Sequence, residues 1–229
     1  MSDFYQELLS ATETERNELL SIPFVQHGWR GELSLESYIA FLTQAYHHVK
    51  QTTPLLMACG SRIPHDSEWL RDAMAEYIEE ELGHQEWILN DIRACGGDAE
   101  AVRHATPGMA AEMMCAYAYH VIDRLNPVGF LGMVLVLEGT SVRLATDAAT
   151  ALQKNLGLPK EAFTYLNSHG SLDISHMNFY QGLVNRLEKA SDRAFIIHTA
   201  RRFYGLYGNL FRSLPLSFNS RIENQAGAA

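Results

Sequence analysis

Apolar residues recur along this chain at steps of three, four and seven, and no stretch shows the strict alternation of a half-buried strand. The pattern predicts helices from end to end. A first covers about residues 3–20 and stops before Ile22-Pro23, because the position ahead of a proline disfavours helical backbone. Ser34 caps a second, long helix that Pro54 kinks before Cys59-Gly60. Ser67 opens a third, which stops near Cys95-Gly96-Gly97. Thr106-Pro107 and Asn126-Pro127 repeat one signal, a capping side chain followed by proline at the first helical position. They open a fourth helix to about Leu125 and a fifth to near Gly157. Pro159 starts a sixth that runs to about Lys189, and Ser191-Asp192 begins a seventh that Leu214-Pro215 closes. The polar, small-residue stretch 217–229 is expected to fray. With no linker, repeat or low-complexity tract, the reading is one all-α domain over residues 1–216, a seven-helix bundle.

One residue breaks the polarity pattern. Glu138 ends the run Phe130-Leu-Gly-Met-Val-Leu-Val-Leu-Glu138, which is apolar on every face and must be buried. An ionised carboxylate there costs several kcal/mol, roughly, unless it is paired, protonated or bound to a metal. Arg143 is near in sequence but falls on another face of the helix.

Two further segments supply matching chemistry. Glu81-x-x-His84 lies on the third helix, within a polar stretch whose other carboxylates, Glu79, Glu80 and Glu86, read as a solvated face. His169-x-x-x-Asp173-x-x-His176 lies on the sixth, where steps of three, four and seven return side chains to one stripe. Two carboxylate-x-x-His pairs plus a carboxylate from another helix make the recipe for a two-metal site in a helical bundle. His169 stands where the ferritin-like form of that recipe would carry another Glu. Three imidazoles with three carboxylates suit redox-active iron or manganese better than structural zinc or calcium. Gly83 and Gly170 sit inside these ligand-bearing segments; each is expected either to relieve crowding at the site or to mark a segment that moves.

Composition narrows the setting. The chain has 229 residues, 47% of them hydrophobic and 20% charged, the profile of a folded globular protein. Its formal net charge of −9 and scattered Lys and Arg argue against nucleic-acid binding. No uninterrupted apolar run reaches the roughly 18 residues of a membrane span, and the N-terminus lacks a basic segment followed by an apolar one. Cys59, Cys95 and Cys115, odd in number and widely spaced, fit a reducing compartment. The default is a cytoplasmic protein.

The order E-x-x-H, lone Glu, H-x-x-x-D-x-x-H resembles the heme-oxygenase-like di-iron oxidases and oxygenases, within the wider TenA and pyrroloquinoline-quinone-synthase superfamily. The stretches Asn126-Pro-Val-Gly-Phe-Leu-Gly-Met-Val-Leu-Val-Leu-Glu138-Gly and Tyr46-His-His-Val-Lys-Gln-Thr-Thr-Pro54-Leu-Leu add to it, and the likeness covers roughly residues 15–212. It implies a seven-helix bundle, often a homodimer, with two Fe(II) ions, or iron with manganese, held by Glu81, His84, Glu138, His169, Asp173 and His176. It assigns Glu81, His84 and His169 to one ion, Asp173 and His176 to the other, and Glu138 between or beside them. It also implies O2 as co-substrate, and a small organic substrate such as a fatty acid or an amino acid.

Tyr46 and His48 on the second helix, Tyr119 on the fourth and Arg202 on the last are candidates for substrate contact, an arginine there being suited to a substrate carboxylate. Met109, Met113 and Met114 read as core filler. The competing functions are a TenA-type thiaminase, a metal-independent enzyme like pyrroloquinoline-quinone synthase, a regulatory or binding protein, and an iron store. The thiaminase would need an activated cysteine, expected on the fifth helix, which carries none.

Overall fold

The computed structural model describes residues 3–219. Within them the chain forms α1 (Phe4–Ala11), α2 (Glu13–Leu20), α3 (Pro23–Trp29), α4 (Leu35–Val49), α5 (Thr52–Arg62), α6 (Glu68–Glu81), α7 (His84–Ala94), α8 (Ala99–His104), α9 (Met109–His120), α10 (Leu131–Leu156), α11 (Thr164–Asn185) and α12 (Ala190–Arg212). The expected class, an all-α bundle, is correct; the expected count of seven is not, because the first three predicted helices are each split in two. Short α3 and α8 were also not anticipated.

The splits have local causes. In the second predicted helix the break falls at Lys50-Gln51, and Pro54 sits inside the first turn of α5. A proline there lacks an N–H and clashes with the carbonyl four residues back, so the helix restarts instead of kinking. In the third, the break falls at Leu82-Gly83, inside the Glu81-x-x-His84 motif. The fourth ends in a single π-helical turn, Val121–Leu125, before Asn126 caps the next turn from its side chain.

The longest helix, α10, is the axis of the bundle. It packs against α11, α12 and α3, and Leu131 through Val136 are all buried. By length and composition the stretch Pro127–Leu156 is apolar enough to cross a membrane, yet 61% of its most apolar window lies inside this fold. Two glycines set how closely its neighbours approach. A Cβ on Gly132 would lie 2.6 Å from the Ala200 backbone nitrogen of α12, and one on Gly170 of α11 would overlap the Thr146 hydroxyl of α10. On the other side of the site, α4 packs on α7 and α9, and α5 packs on α6.

Two expectations are corrected here. The segment after Ser217 does not fray at once: Ser34 N–H donates to the Ser217 carbonyl at 2.9 Å and Asn219 N–H to the Glu32 carbonyl at 3.1 Å. The Ser37 hydroxyl ties the same stretch, donating to the Pro215 carbonyl and accepting from Ser217 N–H. Residues 220–229 lie outside the described residues. Of the three methionines read as core filler only Met114 is buried, because α9 turns its Ala111, Met114, Cys115 and Ala118 stripe inward and leaves Met109 and Met113 exposed.

Candidate metal centre

Four helices deliver the six candidate ligands to one place. Helix α6 ends at Glu81; Leu82 is extended and Gly83 adopts φ +89°, a left-handed backbone that disfavours any side chain. Helix α7 then restarts with His84 as its first residue. No atom lies within 4 Å of a Cβ built on Gly83, so conformation and not crowding demands glycine there. Helix α10 brings Glu138, and α11 brings His169, Asp173 and His176 from a single uninterrupted stripe. Glu81, His84, Asp173 and His176 are all buried.

The atoms converge in two overlapping sets. Glu81, His84 and His169 offer one atom each within 4.8 Å of one another, and so do Glu81, Glu138 and His176. Glu81 is common to both. Its two oxygens divide between them: one lies 3.0 Å from His84 Nδ1, the other 3.7 Å from His176 Nδ1. Asp173 Oδ1 stands between the sets, 3.5 Å from His169 Nδ1 and 3.3 Å from His176 Nδ1. Glu81, His84 and His169, grouped together by the resemblance, thus converge, while Glu138 converges with Glu81 and His176, and Asp173 borders both sets.

These close approaches are not hydrogen bonds. His84 Nδ1, Glu138 Oε2, His169 Nε2, Asp173 Oδ1 and His176 Nδ1 are buried and have no hydrogen-bond partner. Orphaned buried polar atoms are costly and uncommon, and five of them in one cluster call for a shared partner. A divalent cation supplies one, since neutral imidazole nitrogens and carboxylate oxygens are what it binds. The residues present therefore fit a metal centre.

Electrostatics point the same way. Burial, and then the charges of Asp173, Glu81 and Glu80, push the Glu138 carboxyl well above its usual range. Among the described residues no lysine or arginine forms an ion pair with it, and Arg143 is exposed. Burial acts to lower His176, but the close approach of the Asp173 carboxylate and the charges of Glu81 and Glu80 outweigh that and raise it. Burial acts to raise Asp173, but His169, His176 and Ser141 hold it below its usual value. The cluster is rich in negative charge, and among the described residues no lysine or arginine forms an ion pair within it.

A surrounding layer, unread in the sequence, orients these groups. Glu80, taken for a solvated residue, is half exposed but places Oε2 2.8 Å from His176 Nε2, which leaves Nδ1 facing the cluster. Ser141 donates to Asp173; it lies one turn beyond Glu138 on the same stripe, a spacing that was available as a signal. Trp87, one turn after His84, stacks on its ring with centroids 4.0 Å apart. Asp91, two turns after His84 on α7, is fully buried and accepts from Thr164 N–H at 3.0 Å and Tyr165 N–H at 2.9 Å. It thereby caps α11, the helix that carries His169, from the helix that carries His84. Burial pushes the Asp91 carboxyl up to about 6 against the lowering effect of these bonds.

A cavity opens onto the cluster and is lined by Glu81, Glu138, His169 and Asp173. His48 lines it too, as expected, with both ring nitrogens unpartnered. Burial, then His169 and His47, push its ring down to about 3, so it is neutral at physiological pH. The other substrate candidates lie elsewhere. Tyr46 is buried on another face of α4 with Lys50 over its ring, Tyr119 donates to Gln51, and Arg202 is exposed; none lines a cavity at the cluster. The three cysteines are buried thiols pushed up to about 12, 12 and 11 at Cys59, Cys95 and Cys115, the reverse of an activated nucleophile.

Known proteins agree with the fold. A protein of unknown function with a heme oxygenase-like fold from Shewanella denitrificans superposes with a TM-score of 0.83 at 21% identity, covering 91% of this chain and 90% of its own. A TenA homologue from Pseudomonas syringae pv. tomato gives 0.76 at 12% identity, over 91% of each chain. Heme oxygenase-1 from the cyanobacterium Synechocystis, solved with heme, gives 0.73 at 11% identity, over 99% of this chain and 97% of its own. No curated protein sequence matches the chain. The model of the iron-containing redox enzyme family matches residues 39–208, a span that holds all six convergent residues, and the chain belongs to that family.

Proposed function

We propose that this protein is a non-heme di-iron oxidase or oxygenase that uses O2 to oxidise a small organic metabolite. The observation that carries the reading is the pair of overlapping carboxylate–histidine sets joined through Glu81, with five orphaned buried atoms among the candidate ligands. Glu81, His84 and His169 would hold one iron and Glu81, Glu138 and His176 the other, with Asp173 bordering both. When bound, a ferrous pair supplies the electrons for O2 reduction and the oxidising power delivered to substrate.

The chain's own residues do the rest. Glu80 fixes the ring of His176, Ser141 fixes the carboxylate of Asp173, and Trp87 holds the plane of His84. Phe130, Met133, Val134 and Leu137 line the cavity beside the cluster and keep water out of it. Neutral His48 offers that cavity a hydrogen bond without adding charge.

A metal-independent TenA-like enzyme is the competing reading, favoured by fold likeness alone. The two are separated by loading the protein anaerobically with Fe(II), removing unbound metal, and admitting O2 while recording oxygen uptake and the visible spectrum. The expected result is oxygen uptake in proportion to bound iron, with a transient visible band. Uptake no greater than that of the same iron free in buffer sinks the oxidase reading.

A further inference from the structure

Trp87 touches both the metal centre and the solvent. Its indole stacks on the His84 ring with centroids 4.0 Å apart and meets the His169 ring edge-on at 6.1 Å. It therefore bears on two of the three residues of the first ligand set. The residue is only half-buried, and among the described residues its indole N–H makes no hydrogen bond. Two phenols also approach the cluster, and both are buried: Tyr77, with its ring centroid 5.9 Å from that of His176, and Tyr165, 4.8 Å from that of His169. A phenol gives up an electron readily only as its proton leaves, and the Tyr77 hydroxyl has no hydrogen-bond partner to receive one. An indole can lose the electron first and release its proton afterwards, which a half-exposed ring can do to water.

We propose that Trp87 is the auxiliary electron donor of the metal centre, and its own site of oxidative modification, when O2 is reduced there with no substrate in place. This deepens, and rests on, the oxidase reading above. The indole loses one electron through the stacked His84 ring and one proton to water, and the centre is reduced by that one electron. The neutral indolyl radical then has two fates. It regains an electron and a proton from a thiol or another one-electron reductant in the medium, or it adds O2 at a ring carbon through a new C–O bond. Without such an outlet the oxidising equivalent falls on whatever lies nearest, such as the Met133 thioether in the cavity wall. The stack thus carries damage from the buried ligands outward to a residue that solvent can reach.

The test needs no substrate. Fe(II)-loaded protein is mixed with O2 in the presence of catalase, sampled by freeze-quench electron paramagnetic resonance, and digested for peptide mass spectrometry, with bound iron counted on every sample. We expect a transient indolyl radical and oxygen added to the peptide that carries Trp87, both in proportion to bound iron and absent without it. Trp29 is the internal control: at 45% exposure it is the more open indole, so oxidants released into solution would mark it first, and we expect it unmarked. Trp87→Phe keeps an aromatic ring at that position but one far harder to oxidise, and should abolish the indolyl signal per bound iron. Should that variant fail to fold, the radical and the marked peptide of the wild type decide alone.

A phenoxyl radical in place of the indolyl one would overturn the inference, as would oxygen on Met133 with Trp87 intact. Equal marking of Trp29, or an indolyl signal that survives in Trp87→Phe, would do the same. A stack that only fixes the plane of His84 predicts none of the expected signals. Oxygen uptake read on the same samples keeps the two ideas apart. Iron-dependent uptake with Trp87 unmarked and no indolyl signal defeats this inference alone. Uptake no greater than that of free iron defeats the oxidase reading, and this inference falls with it.

Discussion

The two carboxylate-x-x-histidine pairs have the same spacing and opposite backbones. Asp173 and His176 ride one continuous helix, so their separation is that of a helical turn. Glu81 and His84 face each other across a break, the last residue of one helix and the first of the next. Each pair also has a glycine beside it, and the two glycines do different work. Gly170 is required by crowding, because α10 passes where its side chain would be, whereas Gly83 is required by its left-handed φ in open space. The continuous pair therefore depends on helix packing for its position, and the broken pair on a turn. Asp91 joins them, fastening the start of α11 to α7.

The sharpest separation of the two is by metal content. His84→Ala should remove the ion of the set built on the break, and His176→Ala the ion of the set built with α11. Each affinity should fall by more than about 100-fold, the upper end of what even outer-shell partners cost, with the other ion retained in an anaerobic titration. Loss of both ions from either variant would show that the sets do not bind independently.

Gly170→Ala should cost about 1–3 kcal/mol in chemical denaturation, the usual penalty of overpacking, because the Thr146 side chain and the α10 backbone must both shift. Asp91→Ala should cost about 1–2 kcal/mol through loss of the α11 cap. Its acid behaviour has a definite sign. The folded carboxyl takes up its proton near 6, above the roughly 3.9 of an unfolded aspartate, so between those values the folded state binds more protons. Stability from this group is fully present below pH of about 4 and is lost as pH rises through 6. Wild type should accordingly gain on Asp91→Asn as pH falls from 7 to 4, and a constant difference would contradict the assignment. Gly83→Ala should have the smallest effect, about 1 kcal/mol for forcing a left-handed alanine, with no steric component. A cost exceeding that of Gly170→Ala would invert the comparison.

The same contrast explains what the sequence made legible. The α11 trio was readable because its spacing needs only a helix, and Glu138 because a carboxylate in an apolar run has few explanations. The break at Gly83 was not readable: a glycine inside a helical pattern looks alike whether it ends the helix or admits a neighbour, and only tertiary packing decides. Glu80 was passed over for a related reason, since in a run of three glutamates periodicity alone does not say which one reaches across to His176 on another helix. The placement of Arg202 was not readable either: its aromatic neighbours Phe203, Tyr204 and Tyr207 face inward, while its own position on α12 faces solvent. Asp91 shows the limit most plainly, for its partners are more than seventy residues away.

The central claim is that Glu81 is shared by two metal sites, and the direct measurement is iron bound per chain in wild type and Glu81→Ala after anaerobic Fe(II) loading. Two irons per wild-type chain and essentially none in a folded Glu81→Ala are predicted. A wild-type chain that saturates at one iron, or a variant that keeps an ion, would contradict the account.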